Sequence, residues 1–309
     1  MFITVTLNPA IDKWVSVNKF VLGETNKCAI DRTDLSGKGI NVSTVLATLG
    51  QASIATGFMS ASRNTEYTTY LNALDIICDF TGIAGEIRSN IKLRESSGRE
   101  TELNERGPII SAAEATAFIR SLSKYCMPGN IICISGSLPC GLPSDFYRQI
   151  ILTAKKGGAL TLFDSAGQAF KEGIDAIPYA VLPNLKEFTE YFGNSSITTK
   201  EIKENALKII DKGVFAVVIS MGKKGACFIT KNHCIHARLN TEITVKGTIG
   251  AGDAITAAFA LGLYDNLPLN KTAELCIAAA SACCMETGTA AGKSENIKRL
   301  RETVITDEI

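Results

Sequence analysis

No run in these 309 residues approaches the ~20 consecutive apolar residues of a membrane span. The opening Met1-Phe2-Ile3-Thr4-Val5-Thr6-Leu7 is too short, and too poor in charge, to read as a secretion signal. A cytoplasmic protein with no membrane partner is expected. An excess of one charge is missing too, since 32 Lys and Arg offset 31 Asp and Glu, with no basic block and no acidic tail. No nucleic-acid partner is expected, because such a footprint is a basic patch or stripe. Histidine is scarce, only His233 and His236, and none of the ten cysteines stands in a Cys-x-x-Cys pair. That argues against zinc and disulfides. Cys133, Cys227, Cys276, Cys283 and Cys284, set in apolar runs, read as buried, reduced thiols acting as small hydrophobes.

What is present is a large core. With 46% hydrophobic and 20% charged residues, the chain suits one large α/β domain, or a large one with a small companion. Residues 2–7 form an apolar, β-branched run typical of a strand buried on both faces. From residue 111 strands alternate with helices. A capping box at Ser111 and Glu114 starts one helix, and strands are expected at 131–135, 159–164, 179–182 and 214–220, with 226–230 returning as a hairpin. Such alternation predicts a mostly parallel sheet with helices on both faces. Two stretches differ, Trp14 to Thr33 and Ile87 to Asn104. Their period-two alternation, with Ser96-Ser97-Gly98 as a turn, predicts half-exposed antiparallel strands that pair into a small lid or a dimer contact. The expected division is a core of 1–11, 35–86 and 107–309 and a lid of 12–34 and 87–106.

Two glycine-rich turns open apolar helices. In Gly247-Thr248-Ile249-Gly250-Ala251-Gly252-Asp253 small residues expose backbone N–H groups at a helix start, a natural seat for an anion. Asp253 there is either an ordinary helix cap or a base aimed at a hydroxyl beside the anion. In Ser36-Gly37-Lys38-Gly39-Ile40-Asn41 the full phosphate-loop pattern fails, since Gly39 follows Lys38 where a hydroxyl residue is needed. Asn41 either bonds a sugar hydroxyl or caps. Asp12, just past the first strand, is either a hydroxyl acceptor or a turn residue. Gly288 to Ser294 resembles a phosphate loop but carries Thr287 where the first glycine belongs. Gly250-x-Gly252 lacks the remainder of a dinucleotide fingerprint, which argues against a dehydrogenase.

Six segments, in order, resemble the PfkB (ribokinase-like) carbohydrate kinases, in the branch of the 1-phosphofructokinases and tagatose-6-phosphate kinases. They are Thr6-Leu7-Asn8-Pro9-Ala10-Ile11-Asp12, Gly37-Lys38-Gly39-Ile40-Asn41-Val42, Ser135-Gly136-Ser137-Leu138-Pro139, Pro183-Asn184-Leu185-Lys186-Glu187, Ser220-Met221-Gly222-Lys223-Lys224-Gly225-Ala226 and Gly250-Ala251-Gly252-Asp253. The resemblance implies a three-layer ribokinase-like sandwich with a small β lid. It implies ATP as phosphoryl donor, Mg²⁺, and phosphorylation of a ketohexose phosphate, most simply fructose 1-phosphate to fructose 1,6-bisphosphate, with tagatose 6-phosphate as the alternative.

By the same resemblance Asp253 is the catalytic base, and Gly250, Ala251 and Gly252 form the anion hole. Asn184 and Glu187 organise Mg²⁺ and phosphates, Glu187 through water. Ser220, Gly222, Lys223 and Gly225 belong to a nucleotide-binding turn. The sugar phosphate falls to Asp12, Lys27, Gly37, Lys38, Asn41, Arg88 and Ser137; an arginine suits a phosphate because its fork donates twice. A homodimer through the lid is a further expectation, and a sensor that binds without turnover is the alternative of another class. The sequence departs from the family at Ser36, Leu182, Gly247 and Ala254, where glycine, lysine and two serines are usual.

Overall fold

The structure is a computed structural model, and it describes residues 1–193 and 197–309. Its first strands are β1 (Phe2–Thr6), β2 (Ala10–Val17), β3 (Ala29–Ser36), β4 (Ser53–Ser60), β5 (Ile76–Ile83), β6 (Arg88–Glu95) and β7 (Glu100–Asn104). There follow β8 (Ile131–Ser135), β9 (Leu160–Asp164), β10 (Ala180–Val181), β11 (Ala216–Ser220), β12 (Ala226–Thr230), β13 (Cys234–Leu239) and β14 (Val304–Glu308). Ten of them form one sheet in the order β14-β13-β12-β11-β10-β9-β8-β1-β4-β5. Pairing is parallel from β11 to β5 and antiparallel from β11 out to β14. The central strands are buried along their whole length, as β-branched runs without polar alternation require.

Two apolar layers enclose the sheet. One gathers Phe118, Tyr147, Phe163, Phe170 and Phe188, and the other is built from the alanine-rich helices Ala251–Tyr264 and Leu269–Cys284. Small side chains let those two helices approach closely. A Cβ on Gly262 would lie 2.5 Å from Thr272 Cγ2.

The second sheet has the order β3-β2-β6-β7. It draws both alternating stretches together, but its central pair, β2 with β6, is parallel rather than antiparallel. The reason is topological, since β2 and β6 both leave the same end of the core and run the same way. Asp12 is a strand residue, not a turn residue. Tyr67 ties the lid to the core: its hydroxyl donates to Ala10 O at 2.7 Å and accepts from the Ser36 amide at 3.3 Å, where β2 begins and β3 ends. Among the described residues no helix is long and apolar enough to cross a membrane.

Candidate active site

In a parallel sheet ligand groups gather outside the strand C-termini. Here Thr6 ends β1, Ser135 ends β8, Asp164 ends β9 and Ser220 ends β11, while Asn184 follows β10 by three residues. A cavity of about 280 Å³ opens among them, lined in part by Thr6, Asn8, Lys38, Arg88, Ser135 and Glu187. Five buried side-chain polar atoms lack a hydrogen-bond partner among the described residues, and four belong to this wall: Thr6 Oγ1, Asn8 Oδ1, Arg88 Nε and Ser135 Oγ. Unpaired buried polar groups are costly and rare in a packed interior. Their convergence marks a receptor for a polar ligand with both donors and acceptors. Burial depresses the Arg88 pKa while the nearby Asp12 opposes that. Its only described partner is the Glu105 carbonyl at 3.3 Å, so its fork remains available to an anion.

The helix Lys38–Thr48 joins this cavity to the Gly250 turn. A Cβ on Gly39 would fall 2.5 Å from Thr6 Oγ1 and from Val5 O, so only glycine lets the helix start lie against β1. Lys38 and Asn41, three apart, share a face. Lys38 Nζ donates to both oxygens of Asp164 at 3.1 Å, and Asn41 Nδ2 donates to Asp253 Oδ2 at 2.8 Å. Burial would lower the Lys38 ammonium, but Asp164, Asp253 and Glu187 outweigh it and hold its pKa above the ordinary lysine value. Asp164 was not singled out from sequence. A carboxylate at a strand end was the available signal, but its partner lies 126 residues away.

Asp253 is not the cap of its helix. Gly250 holds that position at φ +85°, and Asp253 sits in the first turn without a capping bond, 5% exposed. Burial pushes its carboxyl up to about 7; Lys38 opposes this, Asp164 adds to it, and the Asn41 hydrogen bond opposes it again. It does not line the cavity; Asn41, on the helix face that also carries Lys38, holds it. In the turn, the Ala251 amide makes a long bond to Thr248 O at 3.4 Å and the Ala254 amide reaches Gly250 O. The amides of Gly252 and Asp253 have no acceptor among the described residues. No side chain lies within 4 Å of a Cβ on Gly252, which leaves the turn open to an approaching group.

Other candidate residues are placed as follows. Asn184 and Glu187 form a reciprocal capping box at 2.9 Å, a helix-start motif in its own right, yet Glu187 also faces the cavity. Burial raises the Glu187 pKa, and Lys38 opposes that. Ser137 accepts from Asn8 Nδ2 at 3.2 Å on the cavity rim. Asp12, on β2 of the second sheet, is buried and accepts from Asn90 Nδ2 at 2.8 Å. Gly37 precedes the Lys38 helix at φ +149°. Ser220 donates its amide to Pro183 O, beside Asn184, while Gly222, Lys223 and Gly225 form the next turn at the surface. A Cβ on Gly225 would lie 2.0 Å from Ala237 O, so that glycine serves the hairpin. Lys27 is exposed between β2 and β3 and is not brought to the cavity.

The profile of the pfkB family carbohydrate kinases matches residues 5–296. The chain belongs to that family. This family member is 32% identical to a 1-phosphofructokinase of Bacillus subtilis (strain 168), over 94% of this chain and 95% of that one. It is also 32% identical to a tagatose-6-phosphate kinase of Staphylococcus epidermidis, over 85% of each. The crystal structure of Escherichia coli phosphofructokinase-2 in complex with potassium superposes with a TM-score of 0.91, at 23% identity and 98% coverage of both chains, a likeness of fold. The fold of this kinase is accordingly ribokinase-like, and its phosphoryl donor is ATP.

The Asp253 carboxyl gives a pH signature. Its folded pKa lies above the unfolded value, so its contribution to stability is fully present below the unfolded value near 4 and is lost as pH rises through about 7. Asp253→Asn should therefore be more stable than the parent at pH 8, by on the order of a few kcal/mol, and nearly equal to it at pH 4. Urea unfolding at both pH values checks this, and a constant difference would contradict it.

Proposed function

We propose that this kinase phosphorylates a ketohexose phosphate, with fructose 1-phosphate as substrate and fructose 1,6-bisphosphate as product. The observation that carries the reading is the set of unpaired atoms of Thr6, Asn8, Arg88 and Ser135 in one cavity whose wall also holds Lys38. A polyol phosphate supplies hydroxyls for the first, second and fourth and an anion for Arg88. The identities of the curated relatives support the same substrate class.

In the proposed step the sugar O6 attacks the γ-phosphorus of ATP, the bond to the β-phosphate oxygen breaks, and ADP leaves. Asp253 takes the hydroxyl proton; a carboxyl near 7 is matched to that task at neutral pH. The free amides of Gly252 and Asp253 receive charge on the transferring group at a helix start. Lys38 holds its place between the two halves of the site and offsets the negative charge of both reactants.

Mg²⁺ suits the charge of the site, since one ammonium, paired with Asp164, lies in the field of two further carboxylates, Glu187 and Asp253. Among the described residues no three His, Cys, Asp or Glu side chains close on one point, so Glu187 and Asp164 would hold the ion together with water and nucleotide phosphates. When bound, Mg²⁺ neutralises charge on the β- and γ-phosphates.

Purified protein with ATP, Mg²⁺ and a panel of fructose 1-phosphate, tagatose 6-phosphate, fructose 6-phosphate and fructose, read as ADP release, tests the reading. The highest kcat/KM should fall on fructose 1-phosphate, and Arg88→Ala should raise the KM for that sugar about 10-fold or more while leaving the ATP KM nearly unchanged. Preference for an unphosphorylated sugar, or equal changes in both KM values, would contradict it. We also assign a homodimer contact to the lid, whose edge strands expose Ile30 and Leu103. Light scattering should read twice the chain mass of 33.0 kDa, and a monomer at assay concentration would remove that contact.

A further inference from the structure

The lid carries a cluster that the proposed chemistry leaves without a task. Asp34 on β3 is 8% exposed, and its register partner on β2 is Asp12. Two carboxylates facing each other across strands repel unless each is neutralised. Asn90 serves Asp12. Asp34 is served by an ion pair with Arg32, by Trp14 Nε1 at 3.0 Å, and by a donor from outside the lid, the Thr289 amide at 3.3 Å. Arg32 Nη1 reaches the same outside loop, donating to Thr287 O at 2.8 Å and to Thr287 Oγ1 at 3.1 Å. Between these two contacts lies Gly288 at φ +72°, where a Cβ would fall 2.4 Å from Asp34 Oδ2 and 2.9 Å from Arg32 Cζ. The loop therefore presses its backbone against the ion pair with no room for a side chain.

The contact continues inward. The Cys283 thiol lies 3.4 Å from Ala290 O and 3.6 Å from Ile249 O, so one donor spans the loop and the residue before Gly250. Cys283 Sγ is also 3.3 Å from where a Cβ on Gly250 would stand. A Cβ on Gly292 would meet Ala282 C at 2.5 Å, so the loop is clamped onto the same helix. Packed groups at these separations transmit displacement rather than absorb it.

We propose that Asp34 is a positioning residue: with Arg32 and Trp14 it latches the lid to the 287–290 loop, and through Cys283 that loop sets the Gly250 turn, so that lid closure and the shaping of the turn are one event. This role rests on the reading of the 250–253 turn as the phosphoryl seat. Drawing the lid away takes Thr289 and Thr287 from an ion pair whose carboxylate is buried and whose guanidinium is partly exposed, and charge-assisted bonds are stronger than neutral ones. Loss of the latch therefore loosens amides far from the lid itself.

Hydrogen–deuterium exchange on the full chain without ligands tests the linkage. Asp34→Asn should speed exchange in peptides covering 287–291 and also 248–253, whereas faster exchange confined to β2 and β3 overturns the proposal. Cys283→Ala should loosen 248–253 alone and Cys283→Ser should restore it; protection of 248–253 in Cys283→Ala overturns the inward step. If Asp34→Asn does not fold, Gly288→Ala gives the same readout with every latch side chain retained. In turnover with ATP and fructose 1-phosphate, Asp34→Asn should lower kcat about 10-fold with both KM values within about 3-fold, as for an interaction felt in the transition state. A change in KM alone overturns it. A parent enzyme with no turnover would defeat the kinase reading, while the exchange pattern would still decide the latch.

Discussion

One ammonium among three carboxylates organises this site. Lys38 bonds both oxygens of Asp164, and its charge is also felt by Asp253 and Glu187. Buried charges persist only when paired. The pairing here is incomplete, since three negative groups share one positive, and the deficit falls on Asp253, which is buried and has only the Asn41 amide as a described side-chain partner. Its carboxyl is lifted to about 7 because it is buried beside a lysine already committed to Asp164. The fold maintains this imbalance by bringing Lys38 to the end of β9 on a helix whose start only glycine at position 39 allows.

Much of the layout was legible in sequence because it is local. The β-branched run of β1, the capping box at Ser111, the turn at Ser96-Ser97-Gly98 and the glycine turn ahead of Ala251 each carry their cause within a few residues. The ordered motifs then placed these pieces in a known family. What was not legible depends on distant partners. Neither Asp164 nor Asp34 carries a local signal that separates it from any polar residue near a strand end, and the partners that give each its meaning lie far along the chain. The span from 51 to 86, which supplies β4, β5 and Tyr67, was read only as part of the core, with no element expected within it, although Tyr67 fixes the start of β2 and the end of β3.

Several of the expected site residues show why spacing underdetermines role. Asn184 and Glu187 satisfy a helix start as a capping box, yet Glu187 also presents charge to the cavity; one i, i+3 spacing serves both. Lys27 lies close in sequence to lid residues that do reach inward but occupies an exposed loop. Gly225 belongs to a nucleotide-turn motif and is at the same time required by the hairpin against Ala237.

The central claim is that enclosure, opposed by Lys38, holds Asp253 near neutrality. It is tested most directly by carbon NMR titration of the Asp253 carboxyl in protein labelled with ¹³C-aspartate, assigned by its absence in Asp253→Asn. The account predicts a midpoint near 7 that moves upward in Lys38→Met, where the opposing charge is gone. A midpoint near 4, the same with and without Lys38, would contradict it.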